Sequence, residues 1–240
     1  MADQQQQSSK VKGVIDMVFL VDVTGSMKPC IDALKNNIQA FITSLTTSSA
    51  NTPSIVKNWR AKAVGYRDFT CDKVPFVDNP FVENVDDFQA QLANLTAEGG
   101  GDEPESLLDA LYKVASMPAT AKGGQADPKS WRYSGEAMRA VIVFSDASIK
   151  ATMVEPAGGT VEDVINVLQS NRVVLTMFAP DFDCYRDLEE VNKATWERLT
   201  GGSNPQESMA LFTKDQKNFQ KTMEKLGKTL TATLGATPLI

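Results

Sequence analysis

The sequence predicts a doubly wound α/β fold, with one mostly parallel central sheet and helices on both faces. Three observations carry this. The runs Met17–Val21 and Ala140–Phe144 are wholly apolar and strand-length, as strands covered on both faces should be. Segments of helical periodicity alternate with such strands along the whole chain, the pattern of successive β-α-β units. With 240 residues, 42% of them hydrophobic, and no internal repeat or linker, the chain can bury one sizeable core.

Each element has its own local reason. Gly13–Asp22 is the first strand. A helix over Pro29–Leu45 follows, with Pro29 suited to a first helical turn and Ile31, Leu34, Ile38, Phe41, Ile42 and Leu45 on one stripe. Thr46–Ser54 is a Ser/Thr/Asn-rich loop. Trp59–Tyr66 reads as a second strand, and Val74–Val82, broken by Pro75 and Pro80, suits only an edge strand or hairpin. Asp86–Leu95 is a short helix with Val85, Phe88 and Leu92 on its apolar side. The Gly-rich turn Glu98–Glu105 leads into a helix over Pro104–Ser116, and Pro118–Tyr133 is a polar surface loop. After the Ala140–Phe144 strand come a helix at Val161–Ser170, a strand at Arg172–Ala179, a helix at Leu188–Leu199, a short strand at Met209–Phe212 and a last helix at Lys214–Leu234. Residues 13–235 form the predicted domain, with a polar, disordered lead-in over 1–12 and a tail over 236–240.

Bulk properties exclude several functions. The net charge of −6, with no basic stripe, disfavours nucleic acid as a partner. No apolar stretch approaches membrane-spanning length, and Met1–Lys10 lacks the charged and apolar regions of a secretory signal. Cys30, Cys71 and Cys184 are odd in number and widely spaced, which fits thiols in a reducing, cytoplasmic compartment. The chain has no histidine, which removes Ser-His-Asp and Cys-His catalysis and imidazole zinc sites.

The informative segment is Asp22-Val-Thr24-Gly-Ser26, directly after the first apolar strand. It presents three oxygen side chains on one turn. Such groups suit a hard cation such as Mg²⁺, or an aspartyl nucleophile for phosphoryl transfer. They also suit a plain helix N-cap. Ligands of open α/β sheets bind at the C-terminal strand edge near the switch in strand order. Asp146 follows the other wholly apolar strand, so Asp22 and Asp146 are expected to meet there. The run Gly99–Gly101 lacks the Lys-Ser/Thr ending of a phosphate loop and does not follow the first strand, which weighs against a nucleotide fold.

Asp22-Val-Thr24-Gly-Ser26 resembles the Asp-x-Ser/Thr-x-Ser signature that opens the metal-ion-dependent adhesion site of von Willebrand factor type A domains. Gly65-Tyr-Arg-Asp68, Gly99-Gly-Gly-Asp-Glu-Pro-Glu105 and the strand ending Ser145-Asp146 extend the resemblance over about residues 13–235. It implies a Rossmann-like fold, no catalytic residues, and a Mg²⁺ (or Mn²⁺ or Ca²⁺) held by three loops. Thr24 and Ser26 would coordinate through hydroxyls, and Asp22 and Asp146 directly or through water. The third loop normally supplies a threonine; here that role is carried to Asp102, because Gly99–Gly101 has no hydroxyl. Asp68 would orient a bound water or Ser26 from the second layer, and Arg67 would pair with Asp68 or Asp102. The implied function is cation-dependent binding of a protein partner, an acidic side chain of which completes the coordination sphere. Loops Pro118–Tyr133 and Ile149–Gly159 would set specificity. A third acidic ligand makes the site more negative, so it would hold its ion more tightly and attract a partner carboxylate less.

The rival is an aspartyl-phosphate enzyme with Asp22 as nucleophile, since the same segment resembles the Asp-Lys-Thr-Gly-Thr of P-type ATPases and their phosphatase relatives. Val23 stands in place of that Lys, and Ala147 and Ser148 follow Asp146 where an acidic pair is expected. A further alternative is a structural interaction module with a vestigial site.

Overall fold

The computed structural model describes residues 13–47, 54–100 and 103–236. The expected lead-in and most of the tail lie outside these. The elements run β1 (Val14–Asp22), α1 (Lys28–Thr46), β2 (Asn58–Tyr66), β3 (Phe76–Asp78), α2 (Val85–Ala93), α3 (Leu107–Ala115), β4 (Met138–Phe144), α4 (Val161–Ser170), β5 (Val173–Pro180), β6 (Thr195–Leu199), α5 (Pro205–Lys214) and α6 (Gln216–Gly235). The sheet order is β3-β2-β1-β4-β5-β6. All neighbours are parallel except the antiparallel edge strand β3.

This is a doubly wound α/β sheet, as the sequence predicts. After β1 the chain moves outward to β2 and β3, then returns to β4 on the other side of β1 and continues to β5 and β6. The order therefore reverses between β1 and β4, and a crevice opens beyond their C-terminal ends.

Side chains of the central strands alternate between two cores, as a pleated strand requires. Met17, Phe19, Val21, Ile142 and Phe144 face α1, α2, α5 and α6. Val18, Leu20, Val141, Val143, Leu175 and Met177 face α3 and α4. Phe19 centres the first core, edge-on to Phe41 and Phe88 at 5.3 and 5.1 Å between ring centroids and stacked on Phe144 at 6.2 Å. Because both faces of β1 and β4 are buried, their backbones are held rigidly, and so are the residues that leave them at Asp22 and Ser145.

Two predicted elements are corrected. Leu188–Leu199 is not a helix: a 3-10 turn at Asp187–Glu190 is followed by edge strand β6. Lys193, with φ at +63°, breaks any helix between them. Met209–Phe212 is not a strand but the middle of α5. Asn204 caps that helix by accepting from the Glu207 amide, and Pro205 occupies its first turn. The predicted start of the third helix also moves, from Pro104 to Leu107.

The opposite, N-terminal edge is tied by a buried ionic cluster. Asp16 on β1 accepts a bidentate pair from Arg60 of β2 at 2.9 and 2.8 Å, and further bonds from the Arg132 amide and side chain at 2.7 and 2.6 Å. Arg60 also donates to the carbonyls of Asp127 and Ser130. These bonds fasten the loop around Pro118–Tyr133 to the N-terminal edge of the sheet, away from the crevice. That loop was expected to read a partner at the metal-binding edge, and its placement corrects the expectation: it enters β4, so it must start at the strand's N-terminal end.

Candidate functional site

Asp22 is the last residue of β1 and is completely buried. Its Oδ1 accepts from the Thr24 amide at 3.0 Å and the Thr24 hydroxyl at 2.7 Å, closing the turn that leads into Gly25–Met27. Its Oδ2 accepts from the Ser145 hydroxyl at 2.9 Å. Ser145 follows β4, whose Phe144 is level with Val21 of β1, so the strand register sets this bond. Asp146 is next in the chain. The structure thus brings Asp22, Thr24, Ser26 and Asp146 together at the switch point.

The concavity above them has a volume of about 320 Å³ and is lined by Thr24, Ser26, Gly100, Glu105, Asp146 and Gln206, among others. Asp22 lies beneath it, behind Thr24. Gly99 and Gly100 both have φ of +74°, the left-handed region that favours glycine. A Cβ on Gly100 would come within 2.8 Å of Thr24 Cβ and 2.7 Å of its Cγ2, so this loop passes Thr24 as closely as a backbone can.

Buried polar atoms without a hydrogen-bond partner concentrate here. Among the described residues they are both Asp146 oxygens, Glu105 Oε2, the Tyr66 hydroxyl and Asp109 Oδ2. The first four belong to three side chains around Asp22. Tyr66 is level with Asp22 on β2, and Glu105 and Asp146 both act on Asp22 or are acted on by it electrostatically. Leaving such atoms unpaired is costly, and four of these five atoms lie around Asp22.

The electrostatics agree. Burial, then repulsion from Asp146, pushes the Asp22 carboxyl up to about 7. Burial, then the charges of Asp22, Asp68 and Asp72, pushes Glu105 up to about 8. Burial also raises Asp146, and the nearby Ser26 hydroxyl only eases that shift. Acidic groups forced upward together are those a cation would relieve. The donors are all oxygen, hydroxyl and carboxylate, the chemistry of Mg²⁺, Mn²⁺ or Ca²⁺ ligands. Among the described residues, no three carboxylate or thiol side chains already stand as a complete metal cage, so the donor set depends on the Thr24 and Ser26 hydroxyls as well as the acids.

The remaining predicted residues fare differently. Asp102, assigned the third-loop role, lies outside the described residues. Asp68 is buried and accepts from Lys150 Nζ at 2.7 Å on each oxygen, and from Thr70, Cys71 and Ser106. Burial raises it, but these donors outweigh burial and hold its carboxyl well below the usual range. Arg67 does not pair with Asp68: it donates to the carbonyls of Val23, Val74, Thr96 and Glu98. It thereby pins the end of β1 to the segment entering the Gly-rich loop.

Sequence reasoning missed Glu105 and Gln206. Gln206, in the first turn of α5, reaches the Asp146 carbonyl at 3.5 Å. It was hidden because only Met209–Phe212 of this helix was assigned, and as a strand, so Gln206 fell in no element. Ile149–Gly159, the other expected specificity loop, does lie on the site's side of the sheet. Its Val154 and Glu155 amides both donate to Asp109 at 2.8 Å.

The sequence model of the von Willebrand factor A domain family matches residues 16–123. That stretch includes most of β1, the Asp22–Ser26 turn and the Gly-rich loop, while Asp146 lies beyond it. The chain is also similar to a putative ariadne-like RING finger protein, R811, of Acanthamoeba polyphaga mimivirus: 30% identical over 95 residues, 40% of this chain but 9% of that protein. Among solved structures it resembles proximal thread matrix protein 1 of the mussel byssus, at 13% identity and a TM-score of 0.48, over 88% of this chain and 50% of that one. It also resembles the pilus adhesin SpaC of Lactobacillus rhamnosus GG, at 12% identity and a TM-score of 0.48, over 89% of this chain and 31% of that one. The chain therefore spans half or less of each of these proteins. Among the described residues no helix is long and apolar enough to cross a membrane.

Proposed function

We propose that this chain is a von Willebrand A-type domain whose site at the β1–β4 switch point binds a divalent cation and, through it, a protein partner. The observation that carries the reading is the pair of buried, partnerless Asp146 oxygens, which share one concavity with the Thr24 and Ser26 side chains. Thr24, Ser26 and Asp146 would hold the ion. Asp22, locked by Thr24 and Ser145, would contribute its charge from beneath or through a water. When bound, the cation supplies an electrophilic position that an oxygen-bearing side chain of the partner completes, and no bond-making chemistry is required. Gln206 of α5 lines that position, and it and Ile149–Gly159, on the same side of the sheet, would read the partner.

The aspartyl-phosphate alternative is less well supported. A nucleophile needs a lone pair facing the pocket, whereas both Asp22 oxygens are engaged and the residue is completely buried. A reducing, cytoplasmic setting is proposed on the spacing of Cys30, Cys71 and Cys184. The test is a thermal melt with and without Mg²⁺, followed by partner capture in chelator. Wild type should be stabilised by the ion, Asp22→Ala/Ser26→Ala should not, and the partner should be lost on both mutation and chelation. A partner retained under both conditions overturns the reading.

A further inference from the structure

We propose that the exposed face of α6, with the hollow between it and edge strand β6, is a docking groove for an extended acidic peptide that carries an apolar anchor. Lys217, Lys221, Lys225 and Lys228 recur along α6 at spacings of four, four and three. At about 100° per residue they fall within roughly 80° of arc. All four are exposed, and they lie opposite Phe219, Met223, Leu226 and Leu230, which are buried in the core. The expectation of no basic stripe is thereby corrected: the lysines are spread through the sequence, and the helix gathers them. Over its 20 residues α6 has one acidic side chain, Glu224, in a chain whose net charge is −6. Among the described residues Lys217, Lys221 and Lys228 have no ion-pair partner, and Lys225 Nζ comes only within 3.9 Å of the exposed Glu197. A merely solvated helix face gains by alternating charge at these spacings, whereas like charges repel. An anionic ligand along the stripe relieves that repulsion.

Two hollows meet along this stripe. A shallow one of about 490 Å³ is lined by Lys221, Lys225, Lys228 and Thr229, among others. A second, of about 270 Å³, lies between α6 and strands β5 and β6, and Phe178, Trp196 and Leu226 line it. Lys225 and Thr229 line both, so the basic and apolar parts are continuous. Strand β6 ends the sheet and pairs only with β5. Its outer row of amides and carbonyls meets no strand among the described residues, and an extended chain can add there. From Lys217 to Lys228 the helix rises about 17 Å, the length of about five extended residues. A membrane surface or a nucleic-acid duplex would meet the lysine ridge alone and leave the apolar hollow and the strand edge unused. A single peptide strand uses all three: acidic side chains on the lysines, one apolar side chain in the hollow, and backbone along β6. The groove shares no lining residue with the switch-point crevice, so its occupancy does not require the cation.

The experiment is fluorescence anisotropy of a labelled decapeptide, two leucines between two runs of four glutamates, titrated with the full chain. It is done in chelator, so its outcome is separate from that of the cation site. The triple variant Lys221→Glu/Lys225→Glu/Lys228→Glu should weaken binding on the order of tenfold. Lys57→Glu/Lys122→Glu/Lys129→Glu changes the net charge equally at lysines exposed elsewhere, and should weaken it by less than about threefold. Thr229→Trp fills the apolar hollow without altering charge. It should cost about threefold or more, as should serine in place of both leucines of the peptide. Circular dichroism checks that each variant folds; should the first triple variant not fold, Lys225→Glu alone is read against a loss of about threefold. No binding to the full chain overturns the proposal. So does an equal loss in the two triple variants, which would mean that net charge alone is read. Binding that neither Thr229→Trp nor the serine peptide weakens also overturns it. Finally, phosphatidylserine vesicles or duplex DNA that bind the full chain more tightly than the peptide would assign the ridge to a different occupant and overturn it.

Discussion

Replacing Asp22 by Asn should stabilise the metal-free protein at alkaline pH, although it removes a buried residue that makes three hydrogen bonds. In the unfolded chain this carboxyl ionises near its ordinary 3.8, and in the fold near 7. Between those values the folded state holds the extra proton, so the metal-free protein must lose stability as pH rises from about 4 to 7. The difference corresponds to about 4 kcal/mol of destabilisation at pH 8, at roughly 1.4 kcal/mol per pH unit. Glu105, pushed up to about 8, adds to the same trend. The bonds from Thr24 and Ser145 that favour the charged form are already contained in the Asp22 value; Asn keeps an oxygen for the Thr24 amide but turns an NH₂ toward the other donors, so one acceptor is lost at a cost of about 2 kcal/mol. The net expectation in chelator at pH 8 is that Asp22→Asn is more stable than wild type by about 2 kcal/mol. For a chain of this size that is about 4–8 °C in melting temperature. At pH 5, where wild-type Asp22 is protonated in the fold, the penalty shrinks to about 1.6 kcal/mol and the advantage of the variant should disappear. Saturating Mg²⁺ at pH 8 should raise wild type by about 2.7 kcal/mol at a hundredfold excess over its dissociation constant, enough to put it back above a variant that does not bind the ion. Urea unfolding at pH 5 and 8, in chelator and in Mg²⁺, measures all of this. A wild type equally stable at both pH values, or an Asp22→Asn variant weaker at both, would refute the electrostatic account of this site.

Other perturbations have separate outcomes. Arg60→Ala leaves buried Asp16 with Arg132 as its remaining arginine partner, and urea unfolding should show a loss of about 3–5 kcal/mol. Gly100→Ala places a Cβ against Thr24 and imposes a left-handed φ on alanine; the fold should survive, while the Mg²⁺-induced rise in melting temperature should disappear. Lys150→Met removes the ammonium from Asp68. The Asp68 carboxyl should then move up toward the ordinary carboxylate range in an NMR pH titration, and urea unfolding near pH 7 should show a loss of a few kcal/mol, because the fold no longer favours the ionised form.

The sheet's centre was legible in the sequence because β1 and β4 are buried on both faces, and only uninterrupted apolar runs satisfy that. Asp22, Thr24, Ser26 and Asp146 were legible for the same reason, since each directly follows one of those runs. Strand β6 was not: Thr195–Leu199 is an edge strand with mostly exposed side chains, so it has no periodicity to read. Helix α5 was obscured by its mixed face, with Met209 buried and Leu211 43% exposed. Glu105 could not be singled out by spacing, because its parallel bridge to Ile149 is a contact across 44 positions. The Asp16–Arg60–Arg132 cluster was hidden likewise, its members being 44 and 116 residues from Asp16.

The central claim is that the switch-point crevice is a cation site built from hydroxyls and carboxylates. Its most direct test is anomalous diffraction from crystals grown with Mn²⁺. The account predicts one strong manganese peak within about 2.3 Å of the Thr24 and Ser26 hydroxyl oxygens, beside Asp146. Ordered crystals with no peak in that crevice, or a peak held only by groups elsewhere on the molecule, would contradict it.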